Sequence, residues 1–328
     1  MSLTEQAMKI ASKSEFLKSI YHKSSFCQNL LLAKQQKYYQ NLDPKEYPAE
    51  LKKWYEKTTG QPLNLENPQT FNEKIQWMKL YDSTPLKTRL ADKYLVRDWI
   101  AEKIGEEYLI PLLGVWDTFD DIDFDSLPNQ FVLKANHGSG WNVIVRDKAV
   151  FDKGDAKKRF NQWMKTNFAY CNCLELHYGD MIPKIIAETY LENSNGELSD
   201  YKFHCYSGKV QYIQCMTGRE NHDTLREIVF DCDWNLLPFT QNYPRSSGTL
   251  PKPSRLAEMI IAAQVLSKEF YYVRVDFYVL DDDSFKFGEM TFTPGSGMGP
   301  WNLPEYNLKY GQLIHLPLRS EDNNDMRI

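Results

Sequence analysis

Two short segments near the C-terminus, Arg274-Val-Asp276 and Glu289-Met-Thr291, flank a turn-rich Asp281-Asp282-Asp283-Ser284. Residues 273–280 and 285–290 are rich in Val, Phe and Tyr and read as strands. A hairpin centred between Asp282 and Asp283 sets Asp276 opposite Glu289 and Arg274 opposite Thr291. The period of two then puts all four side chains on one face. Facing Cβ atoms in such a ladder lie roughly 4.5–5.5 Å apart, where like charges repel. Two carboxylates so placed call for a cation, and Mg²⁺ is typically held by one or two carboxylates together with substrate phosphates. The competing reading is an exposed hairpin with solvated acids, and a bulge would shift the register.

The chain has 328 residues, 42% hydrophobic, 25% charged and 14% aromatic, which is an ordinary globular composition with ample core material. A net charge of -5 argues against nucleic-acid binding through the whole surface. No run approaches the length of a membrane span and the N-terminus lacks a signal-peptide pattern, so a cytoplasmic protein is expected. The six cysteines are scattered; Cys171-Asn-Cys173 with His177 matches no common zinc spacing and reads as free thiols.

The first 60 or so residues read as helical and mildly basic, a solvated helix face or a dock for an anionic membrane surface. Helical pattern resumes over Phe71–Tyr81 and over 88–105. From Asn129 onward the character changes. Phe131–Lys134 reads as a strand, Asn136-His-Gly138-Ser139-Gly140-Trp-Asn142 as a loop, and Val143–Val145 as a strand. A helix is predicted between Lys153 and Phe168, and a strand over Lys184–Glu188. A hairpin follows around Ser207-Gly208, then a helix capped by Ser254 with apolar positions Leu256, Ile260, Ala263, Leu266 and Phe270. Strands mixed with helices, with evident hairpins, predict an α+β fold and not a doubly wound parallel sheet.

Lys134 precedes a glycine loop whose backbone suits close approach to phosphate, although no Walker A motif is present. Glu188-Thr189-Tyr190-Leu191 ends a strand and offers backbone groups to an adenine edge. Asp200 and Lys202 share one face of the next strand, where the carboxylate suits ribose hydroxyls and the lysine suits phosphate. Each piece alone has a commoner structural explanation, a turn or a surface ion pair. Their order along the chain carries the signal.

That order resembles the ATP-grasp superfamily, and more closely its TupA-like branch. The closer likeness rests on Asn67-Pro-Gln-Thr-Phe-Asn-Glu-Lys-Ile-Gln-Trp77, Ala91-Asp-Lys93 with Arg97, Lys134-Ala-Asn-His-Gly-Ser-Gly140, Asp200-Tyr-Lys-Phe203 and Arg274-Val-Asp-Phe277. It spans roughly residues 67–318. The resemblance implies an ATP-grasp fold, two α+β subdomains gripping ATP, with a helical N-terminal extension. The corresponding boundaries are a helical region over 1–66, a helical linking region over 67–128, one subdomain over 129–192, and a second over 193–328 with the metal site.

By the same resemblance, Lys93 and Lys134 contact ATP phosphates and the loop Gly138, Ser139, Gly140 closes over them. Glu188 and the backbone of Thr189, Tyr190 and Leu191 hold adenine, with Asp200 on ribose. Asp276 and Glu289 bind Mg²⁺; Thr291 stands where many superfamily members carry asparagine as a further ligand. Arg274 is the catalytic candidate, with a salt bridge to Asp276 as its alternative. The implied activity is an ATP- and Mg²⁺-dependent carboxylate–amine ligase acting through an acyl phosphate. The branch points to an amino acid or amine joined to an acidic sugar or glycopolymer precursor in bacterial cell-surface polysaccharide (capsule) biosynthesis. That work would be done in the cytoplasm or at the inner face of the membrane. Two rivals remain: a glycosyltransferase, since Asp231-Cys-Asp233 and Asp281-Asp-Asp283 match Asp-x-Asp signatures, and a phosphotransferase using the same ATP site.

Overall fold

The computed structural model describes residues 34–194, 198–218 and 225–317. The lysines at 9, 13, 18 and 23, which enter the expectation of a basic helical N-terminus, lie outside them. The chain divides into two units, 1–46 and 47–328. In the first, residues 34–40 are helical and Pro44–Glu46 forms a 3-10 turn.

The second unit opens with α1 (Tyr47–Thr59) and α2 (Phe71–Tyr81). Helix α2 starts where Thr70 and Glu73 form a capping box, each side chain taking the other's backbone N–H. The helical stretch expected over 88–105 is two helices, α3 (Pro85–Ala91) and α4 (Val96–Lys103). Asp92 makes the break: its Oδ1 accepts the backbone N–H groups of Tyr94 (2.8 Å) and Leu95 (3.1 Å), an alternative to continuing the helix. Lys93 therefore sits at an elbow.

Two antiparallel sheets follow. The first has the order β1-β4-β2-β3, formed by β1 (Leu112–Trp116), β2 (Phe131–Ala135), β3 (Asn142–Val145) and, after α5 (Lys153–Trp163), β4 (Ile185–Thr189). The stretch read as a helical linking region thus also supplies a strand, paired along β4. Period two sends Phe131, Leu133, Ala135, Ile185 and Ala187 into a core with Ala156 and Phe160 of α5. It leaves Val132, Lys134 and Glu188 on the opposite face. Helix α5 is shorter than predicted, since the chain leaves it at Met164.

The second sheet has the order β7-β6-β5-β8-β9. Its strands are β5 (Ser199–Tyr206), β6 (Lys209–Thr217), β7 (Arg226–Phe230) and, after α6 (Leu256–Ser267), β8 (Tyr272–Val279) and β9 (Phe285–Thr291). Ser207 and Gly208 both take positive φ, 47° and 76°, which suits the predicted two-residue hairpin turn. Met259, Ala263 and Leu266 of α6 pack on Phe203, Val273, Val275 and Phe277. Ser254 does not cap α6; Arg255 occupies the N-cap without a side-chain capping bond, and Phe270 is buried beyond the helix end. Helix α7 (Pro304–Gln312) closes the described chain.

Candidate active site between two sheets

The β8–β9 hairpin sets the site, and its register holds through two departures from the expected ladder. Nearest the turn the pairs are Val279↔Phe285, Tyr278↔Lys286 and Phe277↔Phe287, one residue off the expected ladder. The turn is shorter than expected because Asp283, at φ 61°, takes the left-handed conformation that closes a three-residue loop. A bulge between Phe277 and Asp276, with Gly288 as the extra residue, then adds the missing one. Beyond it Asp276 pairs with Glu289 and Arg274 with Thr291, the predicted partners.

The four side chains do meet. Arg274 donates from Nε to Asp276 Oδ1 and from Nη2 to Asp276 Oδ2, both at 2.7 Å. The same Nη2 reaches Glu289 Oε1 at 2.7 Å and Thr291 Oγ1 at 3.0 Å. The salt bridge to Asp276 is thus present. On the neighbouring strand Lys202 faces Asp276, and its Nζ donates to Asp276 Oδ2 and Asp200 Oδ2, each at 2.7 Å. One rung across four strands reads Gln214, Lys202, Asp276, Glu289. Burial works to raise the Glu289 carboxyl, but the nearby cations Arg274, Lys202 and Lys93 outweigh it and hold the group below its ordinary range. Arg274 is raised, since its carboxylate partners outweigh its desolvation.

On the facing sheet Lys134 pairs with Glu188 Oε2 at 2.5 Å and Arg97 with Glu188 Oε1 at 3.2 Å. Lys93 donates from its side chain to the Gly138 carbonyl, and its backbone N–H to Asn136 O at 3.2 Å. Burial lowers the Lys93 ammonium, while Glu289 and Glu188 act in the opposite sense. In the glycine loop, Gly140 has φ 71°, and a Cβ on Gly138 would strike the Trp141 ring. Trp141 in turn stacks on Trp163, so the loop is tied to α5.

A cavity of about 370 Å³ lies between the sheets. Of the predicted residues it takes in Lys134, Glu188, Thr189, Tyr190, Leu191 and Asp200. Lys202, Arg274, Asp276, Glu289 and Thr291 form the ionic cluster that joins the cavity through Asp200. Sequence reasoning missed the apolar lining, Val132 and Ile144 on one side and Met216 and Tyr278 on the other, with Arg146 beside Tyr190. Alternation in β2 and β3 turns Val132 and Ile144 away from the core, but only the second sheet shows what they face. Arg97, noted in the sequence without a role, holds Glu188.

Several further polar groups cluster behind the hairpin. Lys79 is fully buried and donates to Ser296 Oγ at 2.5 Å, and Gln76 donates to Ser296 O and Gly297 O at 2.9 Å. They fix the turn after β9, where Gly295 and Ser296 take positive φ. Both Asp-x-Asp triplets close turns: Asp231 Oδ1 accepts the Asp233 and Asn235 N–H groups, and Asp281–Asp283 forms the hairpin end. Neither lines the cavity. Among the described residues no helix is long and apolar enough to cross a membrane.

A sequence model described as TupA-like ATPgrasp matches residues 73–315. This chain belongs to the TupA-like ATP-grasp family. Two solved structures illustrate what this TupA-like chain resembles. An L-amino acid ligase from Bacillus licheniformis shares 14% identity at a TM-score of 0.47, over 75% of this chain and 55% of that one. The D-alanine–D-alanine ligase from Bacillus anthracis complexed with ATP shares 18% identity at a TM-score of 0.40, over 69% of this chain and 63% of that one. The chain therefore spans less than two thirds of either. No curated protein sequence matches it.

Proposed function

We propose that this protein is an ATP- and Mg²⁺-dependent carboxylate–amine ligase. The observation that carries the reading is the charged rung Lys202–Asp276–Glu289 with Arg274, linked through the Lys202–Asp200 ion pair to a cavity lined by Asp200 and, on its other wall, Lys134, in a chain of the TupA-like ATP-grasp family. Adenine lies in the apolar part of the cavity against the backbone of Thr189, Tyr190 and Leu191, with Asp200 on the ribose. The Glu188 carboxylate is taken by Lys134 and Arg97, so it acts on the nucleotide by placing Lys134. Lys93, Lys134 and Lys202 meet the phosphates, and the loop of Gly138, Ser139 and Gly140 covers them.

Asp276 and Glu289 fit a hard divalent cation: their carboxylates, with the Thr291 hydroxyl, make an all-oxygen donor set. Mg²⁺ bound there supplies charge neutralisation at the phosphates. Phosphoryl transfer needs positioning and charge stabilisation more than covalent help. The acceptor carboxylate attacks the γ-phosphorus, the bond to the β-bridging oxygen breaks, and ADP leaves. The amine then attacks the acyl carbon, phosphate departs, and the amine loses a proton. Arg274 stabilises the transferring phosphoryl group and the later oxyanion.

The acceptor is assigned, on family membership, to a uronic acid joined to an amino acid in cell-surface polysaccharide biosynthesis. The work is placed in the cytoplasm, with the basic N-terminal region serving peripheral attachment to the membrane. The two gripping subdomains meet between β4 and β5. Incubation with ATP, glucuronate-type acceptors and amino acids tests the reading, with ADP and phosphate as expected products. AMP and pyrophosphate would contradict the acyl-phosphate route, and a stable phosphate ester in the phosphorus NMR spectrum would replace it with kinase chemistry.

A further inference from the structure

The ionic cluster carries its own count of cations, and this bears on metal stoichiometry. Both oxygens of Asp276 are engaged, Oδ1 by Arg274 and Oδ2 by Arg274 and Lys202. Lys202 also binds Asp200, whose side chain is 2% exposed, so its ammonium bridges two carboxylates as a bound cation would. The Thr291 hydroxyl donates to Glu289 Oε1 at 2.9 Å and accepts from Arg274. Both bonds to Glu289 fall on Oε1, and its side chain is 36% exposed. The open ligand position is therefore on the Glu289 side of Asp276. Two divalent ions sharing a site stand about 3.5–4 Å apart and clamp both reacting oxygens. Among the described residues no three His, Cys, Asp or Glu side chains gather closely enough to hold a metal.

We propose that the site takes a single divalent cation with each nucleotide, beside Glu289, and that Lys202 supplies the charge a second ion would bring between Asp200 and Asp276. The assignment rests on the ligase reading above and adds to it the metal count and the positioning role of Lys202. The arrangement also ties nucleotide binding to the metal: Lys202 keeps its two carboxylates and offers its third N–H to phosphate, while phosphate oxygens must draw Arg274 off Asp276 before that carboxylate can ligate. Metal and nucleotide then bind together, and Mn²⁺ alone binds weakly.

Equilibrium dialysis of the full chain against Mn²⁺ and β,γ-methylene-ATP, with both measured on each side, tests the count. The expected result is one Mn²⁺ retained per nucleotide retained, and little Mn²⁺ without nucleotide. Two per nucleotide would overturn the proposal and leave the ligase reading intact; failure to retain nucleotide would overturn both. In Lys202→Met the ratio should rise above one, because Asp200 and Asp276 lose their bridging cation. A ratio that stays at one refutes the role given to Lys202. Thr291→Asn offers a second check should that variant not fold. With Lys202 still in place its ratio should remain one, and a rise to two would show that the threonine, not the lysine, excludes the second ion.

Discussion

Arg274 is the residue on which the site turns, because a single guanidinium contacts Asp276, Glu289 and Thr291. Its planar fork does what a point charge cannot, which makes Arg274→Lys an informative change. The lysine keeps the charge but meets at most part of this set. Losing one preorganised donor to a developing anion costs about 2.7–4 kcal/mol, so kcat for ADP release should fall about 10²–10³-fold. The ATP KM should move much less, as the adenine and ribose contacts proposed above, at Thr189–Leu191 and Asp200, lie elsewhere. A fall in affinity with kcat unchanged would mean that Arg274 only holds the carboxylates in place. The face occupied by Arg274, Asp276, Glu289 and Thr291 was legible from period two. The cation partners of the site were not: Lys202 lies on a strand 74 residues from Asp276, and Arg97 meets Glu188 across 91 residues of sequence. Local pattern carries no information on such pairings.

At the level of elements, the hairpin register depends on Gly288. The sequence pointed to the right partners through two compensating departures, a turn one residue tighter than expected and a bulge that restores the count. A glycine inside a strand is the signal that marks such a bulge. A Cβ at Gly288 would lie 3.2 Å from the Asp276 carbonyl and 3.2 Å from the Tyr278 ring. Gly288→Ala should therefore cost roughly 1–3 kcal/mol in stability, measured by denaturant unfolding, as crowding in packed interiors does. It should lower activity too, since the displaced backbone carries Glu289, the metal ligand proposed above. Strand β1 escaped the sequence reading because all five of its residues are half-buried and show no alternation.

Strand β7 supplies a second element-scale test. Glu227 is fully buried, its Oε2 accepting Gln214 Nε2 at 2.5 Å and its Oε1 accepting the Gln241 backbone N–H. Burial pushes its carboxyl up to about 8, against the pull of those hydrogen bonds. The folded protein therefore keeps a proton there that the unfolded chain releases near its ordinary value of 4.5. This contribution to stability is fully present below that value and is lost as pH rises toward about 8, amounting to on the order of 5 kcal/mol. Glu227→Gln should flatten the fall of the melting temperature between about pH 5 and pH 8. An unchanged slope would show that Glu227 is ionised in the fold.

For the whole molecule, the cavity's two walls come from separate sheets, each with its own core and backing helix: α5 behind the first, α6 behind the second. A nucleotide bound there as proposed would contact both and should stabilise their association. Ligand at a hundred times its dissociation constant adds about 2.7 kcal/mol to folding, which in a chain of this size raises the melting temperature by a few degrees at most. Mg²⁺ with ADP should give that shift, Mg²⁺ alone far less. UDP-sugars should give none, because both Asp-x-Asp triplets lie in turns outside the cavity. Protection by a UDP-sugar and not by ADP would reassign the cavity to a glycosyltransferase. High salt should shrink the ADP shift, since lysine–phosphate contacts weaken as screening increases. A salt-independent shift would mean that the apolar walls, and not the lysines around them, dominate the grip.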